Sequence, residues 1–208
     1  VAGALQDPLL QLFSGPNQIA VNNDWQDDTR SSEISTQLAP TDSQEAAILT
    51  TLDPGAYTAI VSGVGGLTGV GIVEIFEVGE GDSRLSNIST RGFVGVGDDV
   101  LIGGVIISGS APKTVSIRAR GPSLEDFGVD PALQDPTLEI FDVRGQMIDS
   151  NDDWQDHASV NQLPVTLSPT RSNEAALTLT LEPGAYTAIV RGKDGGTGVG
   201  IVEVFAVE

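Results

Sequence analysis

Residues 53–77, DPGAYTAIVSGVGGLTGVGIVEIFE, return at 182–206 as EPGAYTAIVRGKDGGTGVGIVEVFA. Each copy opens on a tight turn, Pro54-Gly55 or Pro183-Gly184, where proline presets the first central φ and glycine accepts a positive φ at the second. AYTAIV follows at once as the predicted hairpin partner of the strand before the turn. The closing TGVGIVEIFEV and TGVGIVEVFAV alternate side chains between two faces, the period of a strand and not of a helix.

Working outward, the duplication takes in 1–13 against 129–141 and, after a one-residue slip, 19–78 against 148–207. About 42 of 73 aligned positions are identical, which makes this an internal repeat with a period near 129. Within each copy, strands are predicted at 9–13, 19–22, 46–52, 56–61 and 68–78 and at their counterparts. The stretch 79–128 occurs once, and predicts three more strands near 85–90, 100–108 and 114–120. A period therefore holds a three-strand front block and a five-strand back block. The chain reads back, front, back, beginning in mid-repeat. Eight strands per period predict an all-β fold of two β-sandwich (jelly-roll-like) units related by internal duplication, a partial repeat over 1–79 and a complete one over 80–208.

Composition agrees. The 208 residues include 25 glycines and 11 prolines, which suits short strands and tight turns. With 29 acids against 10 bases the net charge is −19, so neither a phosphate backbone nor an anionic membrane surface is an expected partner. No apolar run reaches the roughly 18 residues of a membrane span, and no leader peptide is read at Val1. There is no cysteine, which removes disulfides, thiolate nucleophiles and zinc–thiolate sites.

The motifs NISTRG, VLIGGVIISG, KTVSIRARGPSL, LQDPTLEIFD, NDDW, EAALTLTLEPGAYTAIV and GTGVGIVEVF resemble a tandem module of large secreted or surface-exposed bacterial proteins. The resemblance covers 83–207 and, in the back block, 1–78. Through its Asp-rich loop and PGAYT hairpin the back block is also loosely similar to pre-peptidase C-terminal β-sandwich modules. What the resemblance implies is an extracellular or cell-surface location and a non-catalytic accessory or structural role; it assigns no site.

Concentrated polar chemistry occurs twice, in the aspartate loops. Asp149, Asn151, Asp153 and Asp156 space oxygen donors at alternate positions, as calcium loops do, and Asn22, Asp24 and Asp27 match three of them in the first copy. Ala20 stands opposite Asp149, so the second loop is the expected tighter calcium site. Against that stands an Asx-turn loop with solvated acids. Trp25 and Trp154 sit beside these acids, placed either to plug the end of a sandwich or to stack on a glycan. His157, the single histidine, has Asp28 as its counterpart, so an acid–base role would exist in one copy only. The glycines of 63–69 look superficially like a phosphate loop, but the second copy, 192–196, breaks the spacing and a predicted strand follows where a helix would be needed, so they read as hairpin and bulge residues. Gly121-Pro122-Ser123-Leu124 reads as a strand exit, and Asn87-Ile88-Ser89 as a formal glycosylation sequon within a strand.

The sequence thus points to a non-enzymatic structural repeat module of an extracellular bacterial surface protein or fibre, serving as spacer, stalk or assembly element. Its expected partners are neighbouring repeats or copies of itself in a head-to-tail polymer. A carbohydrate-binding or adhesion module is the alternative. Because the first unit carries a back block without front strands, it is expected to expose strand edges and apolar surface.

Overall fold

The computed structural model describes residues 3–79 and 84–207. The chain divides into two compact units, Val1–Arg84 and Leu85–Glu208. The boundary read from sequence at Gly79 and Glu80 adjoins 80–83, which lie outside the described residues. Among the described residues both units are all-β, with only short 3-10 turns between strands.

The first unit forms one antiparallel sheet of β1 (Pro8–Ser14), β2 (Asn17–Asn22) and β3 (Tyr57–Gly63), in the order β2-β1-β3. The second unit continues with β4 (Asn87–Val94), β5 (Leu101–Ile107), β6 (Lys113–Arg120), β7 (Pro136–Asp142), β8 (Met147–Asn151), β9 (Ala175–Leu181), β10 (Gly184–Gly192) and β11 (Gly198–Ala206). These make two four-stranded sheets, β5-β10-β7-β8 and β4-β11-β6-β9. The hairpin expected at Pro183-Gly184 does not form: β9 and β10 lie in different sheets and do not pair, so the chain bends there from one layer into the other.

The copies agree where both have partners. Leu10 sits opposite Val61, and its equivalent Leu138 opposite Val190. The bridge between Ala4 and Val70 returns between Ala132 and Val199. Tyr57 and Tyr186 donate their hydroxyls to the carbonyls of Asp53 and Glu182, locking the same turn. Gly63 and Gly192 both lie where a Cβ would come within 2.1 and 1.9 Å of a backbone carbonyl oxygen, of Leu67 and Gly196 respectively, so no other residue fits without moving the chain.

They part where the front block acts. In the second unit β5 pairs with β10, and β4 and β6 enclose β11 on both edges. Residues of both sheets then fill one hydrophobic cluster, with Ile117, Leu138, Ile140, Leu177 and Val190 fully covered. In the first unit, 46–52 and 71–76 form no strand, although their sequences predict one as strongly as β9 and β11. A strand's ladder bonds come from its neighbours, and these neighbours belong to a block that occurs once.

Among the described residues two acids are buried, both in the second unit. Glu203, in the middle of β11, receives Arg118 Nε at 3.0 Å and Arg120 Nε at 2.7 Å from β6. Arg118 also donates to the carbonyl of Leu167 at 2.8 Å and lies 4.8 Å from the Phe205 ring centre, a cation–π contact. Burial pulls the Arg118 guanidinium below its usual value, and the Glu203 charge opposes that pull. Glu174, fully buried just before β9, accepts the backbone N–H groups of Gly121 and Ser123 at 3.2 and 2.9 Å. The Gly-Pro-Ser-Leu exit from β6 therefore serves as a carboxylate cradle.

Replacing one member of a buried ion pair strands the other charges. Glu203→Gln is expected to cost the second unit about 3 kcal/mol in urea unfolding, whereas Glu74→Gln at the exposed equivalent in the first unit leaves the midpoint unchanged.

Candidate metal centre at the aspartate loops

Each loop begins where a short strand, β2 or β8, runs into a 3-10 turn at Trp25–Asp27 or Trp154–Asp156. The asparagine at the strand end holds the loop to the next strand segment. Asn151 Oδ1 accepts the N–H of Ala176 at 2.8 Å, while its Nδ2 donates to the carbonyl of Asp153 at 3.0 Å. Asn22 does the same with Ala47 and Asp24 at 2.9 and 3.1 Å. Trp154 and Trp25 donate their backbone N–H to the carbonyls of Glu174 and Glu45. Asn22 and Asn151, expected as calcium ligands, thus spend their amides on the backbone.

The expected ligands do not converge as one set. Asp149 lies apart, with Oδ1 3.1 Å from His157 Nε2 and 2.8 Å from the Ser150 N–H. Asp27 and Asp156 are exposed at the ends of their turns. Asp153 does join a cluster, with Asp152 and Asp135, whose ligand atoms all fall within 4.8 Å of one another. Asp135 precedes β7 in the Gln-Asp-Pro that also precedes β1 as Asp7. The repetition of that tripeptide was the signal available in the sequence. Burial, the leading influence, raises the Asp135 carboxyl above its usual value, and Lys193 pulls against it.

A cation already sits on this cluster. Lys193 Nζ is 2.5 Å from Asp152 and 3.8 Å from Asp135. The bond to Asp152 is the main cause holding the lysine's pKa above its usual value. Its backbone N–H binds the Asp135 carbonyl at 2.9 Å, as Val64 binds Asp7. In the first copy Asn23 replaces Asp152 and Val64 replaces Lys193, and Asn23 Nδ2 donates to Asp24 Oδ2 at 3.1 Å. The second copy thus has one more acid and one lysine at these two positions, and Asp194 beside them, where the first copy has Gly65, adds a further acid. In both copies one oxygen on each of two side chains, Asp7 and Asn23 or Asp135 and Asp152, is buried without a hydrogen-bond partner among the described residues. The chemistry fits a hard cation held by oxygens, with Lys193 occupying that role in the second unit.

His157 stands between Asp149 and Ser159. Its Nδ1 lies 2.7 Å from Ser159 Oγ and receives the Ser159 N–H at 3.1 Å, which leaves Nε2 to carry the proton towards Asp149. The order acid, histidine, serine is that of a nucleophile relay. Yet Ser159 is buried, and its Oγ accepts the Thr178 N–H at 2.9 Å. In the first copy Asp28 braces the same turn by accepting the Arg30 N–H at 2.7 Å. The histidine thus takes over an Asx-turn acceptor. Trp25 and Trp154 are half-buried with their indole N–H inside the unit, unbonded among the described residues.

No family model matches the sequence, and none of the curated proteins is similar to it. Among solved structures the chain is similar to the pre-peptidase C-terminal domain of collagenase from Bacillus anthracis, at 14% identity and a TM-score of 0.36, over 57% of this chain and 89% of that one. At that score the likeness assigns no role to any residue.

If Lys193 fills the cation position, Lys193→Ala opens three carboxylates to a metal. Millimolar calcium is then expected to raise the melting temperature of the second unit in the variant and not in the parent chain. An equal response in both, or none in either, would show the lysine to be irrelevant to the cluster.

Proposed function

We propose that the chain is a non-enzymatic structural repeat module of an extracellular bacterial surface protein or fibre, acting as spacer, stalk or assembly element. The observation that carries this reading is where the two copies agree and differ. Residues that match perform scaffold tasks: the Asn22 and Asn151 latches, the Tyr57 and Tyr186 turn locks, and the Gly63 and Gly192 close approaches. The copies differ at the histidine and the lysine, with His157 against Asp28 and Lys193 against Val64, and at Asp152 against Asn23, while the oxygen donors Asp7 and Asp135, and Asp24 and Asp153, repeat. A duplicated catalytic site built on the histidine or the lysine would repeat those groups, and neither repeats. Here the repeated element is the scaffold together with two of its oxygen donors.

The acidity supports the same role, since a charge of −19 keeps closely spaced modules soluble and disfavours indiscriminate sticking. The surface location rests on the resemblance of the motifs, and labelling tests it. Antibody to the chain should mark intact producing cells, and staining confined to lysed cells would remove the surface assignment.

The relay-like order at His157 gives a second check on the non-enzymatic reading. His157→Asp, which restores the first copy's residue, is expected to keep the fold within about 1 kcal/mol of the parent in denaturant unfolding. Parent and variant should be equally inert across esterase and peptidase substrates. Turnover by the parent that vanishes in this variant would make the chain an enzyme.

A further inference from the structure

The second unit shows what covers each strand of a back block, and the first unit presents the same residues uncovered. Leu52 is 39% exposed where Leu181 is 4%, Val73 is 43% exposed where Val202 is 2%, and Ile75 is 50% exposed where Val204 is 6%. Among the described residues β3 pairs with β1 alone, whereas its equivalent β10 has β5 on its other edge. The acids follow the apolar residues. Glu45 and Glu74 are exposed, while Glu174 and Glu203 are buried against Gly121, Ser123, Arg118 and Arg120. All four of those partners lie in the front block or at its exit.

We propose that the first unit is an acceptor for a front block: a three-strand segment of the 87–120 pattern, ending Arg-x-Arg-Gly-Pro-Ser and belonging to a further repeat. Its first and third strands would enclose 71–76, its second would extend the sheet at β3, its two arginines would meet Glu74, and its glycine and serine amides would meet Glu45. The apolar face alone would accept many strands; the two carboxylates make it selective for this one. A second copy of the same chain is a poor donor on stoichiometry. Each chain carries two back blocks and one front block, so exchange between copies leaves as many back blocks bare as before. The inference deepens the repeat-module reading by naming the module's partner. It concerns completion of the fold and the cell labelling concerns location, so either fails without the other.

The test joins a second copy of residues 80–128 directly ahead of Val1, the junction that 128–129 already makes in the chain. The extended protein is expected to be monomeric and to bind less of a hydrophobic dye than the 208-residue chain. Its amides at 71–76 should gain about tenfold or more in hydrogen-exchange protection, approaching those at 200–205. Glu74→Arg should abolish that gain in the extended protein and change little in the 208-residue chain. Reversing the added copies of Arg118 and Arg120 to glutamate should restore it. Unchanged exchange in the extended protein would overturn the proposal. So would protection of 71–76 in the 208-residue chain that rises with concentration as sedimentation shows dimers, because the face would then belong to a second copy.

Discussion

Everything in the complete unit depends on β11 lying between β4 and β6. A strand can satisfy its backbone only through neighbours, and a central strand needs two. β11 also brings Val202 and Val204 to the core on one face and Glu203 to two arginines on the other. One strand thus closes the ladder, the core and the buried charge network at once. The same heptapeptide, TGVGIVE, stands at 68–74 and 197–203, and only the second becomes a strand. Local propensity is equal in the two places, so the difference is the presence of partners.

That contrast marks how far the sequence could be read. The strands around Tyr57 and Tyr186, the three strands of the front block and the all-β class were legible, because they rest on short-range patterns of two to eight residues; the hairpin expected at Pro183-Gly184 was not, since β9 and β10 pair with strands of two different sheets. The strands expected at 46–52 and 68–78 were equally well patterned and did not form. Whether a patterned segment pairs is a property of what lies beside it, and no periodicity within the segment carries that information.

The site was less legible for a related reason. Alternate acids suggested that Asp149, Asn151, Asp153 and Asp156 would face one point; Asn151, Asp153 and Asp156 do line one hollow, but Asn151 is held by the backbone and only Asp153 joins the close cluster of carboxylates. The acids that do cluster come from 17 residues apart in sequence and are completed by Lys193 from the β10–β11 turn. Glu174 and Glu203 looked like two more surface acids in an acidic chain. Their burial became visible only with Arg118, Arg120 and the amides after β6 in place. A charged residue declares its role through its partner, and the partners here lie 51 to 85 residues away.

The position of β11 in the chain also governs how the unit can assemble. It is the last strand of the second unit and an inner member of its sheet, so β4 and β6, each formed from earlier residues, cannot lie side by side in their final arrangement until 198–206 arrive to separate them. Contacts such as Arg118 to Glu203 span most of the unit, and closing loops of that length comes at an entropic cost before any packing is gained. Folding should therefore be slow and close to all-or-none. During synthesis, the front block waits as open edge strands, kept from adhering to one another by little besides their glycines and charges, until the final strand locks between them.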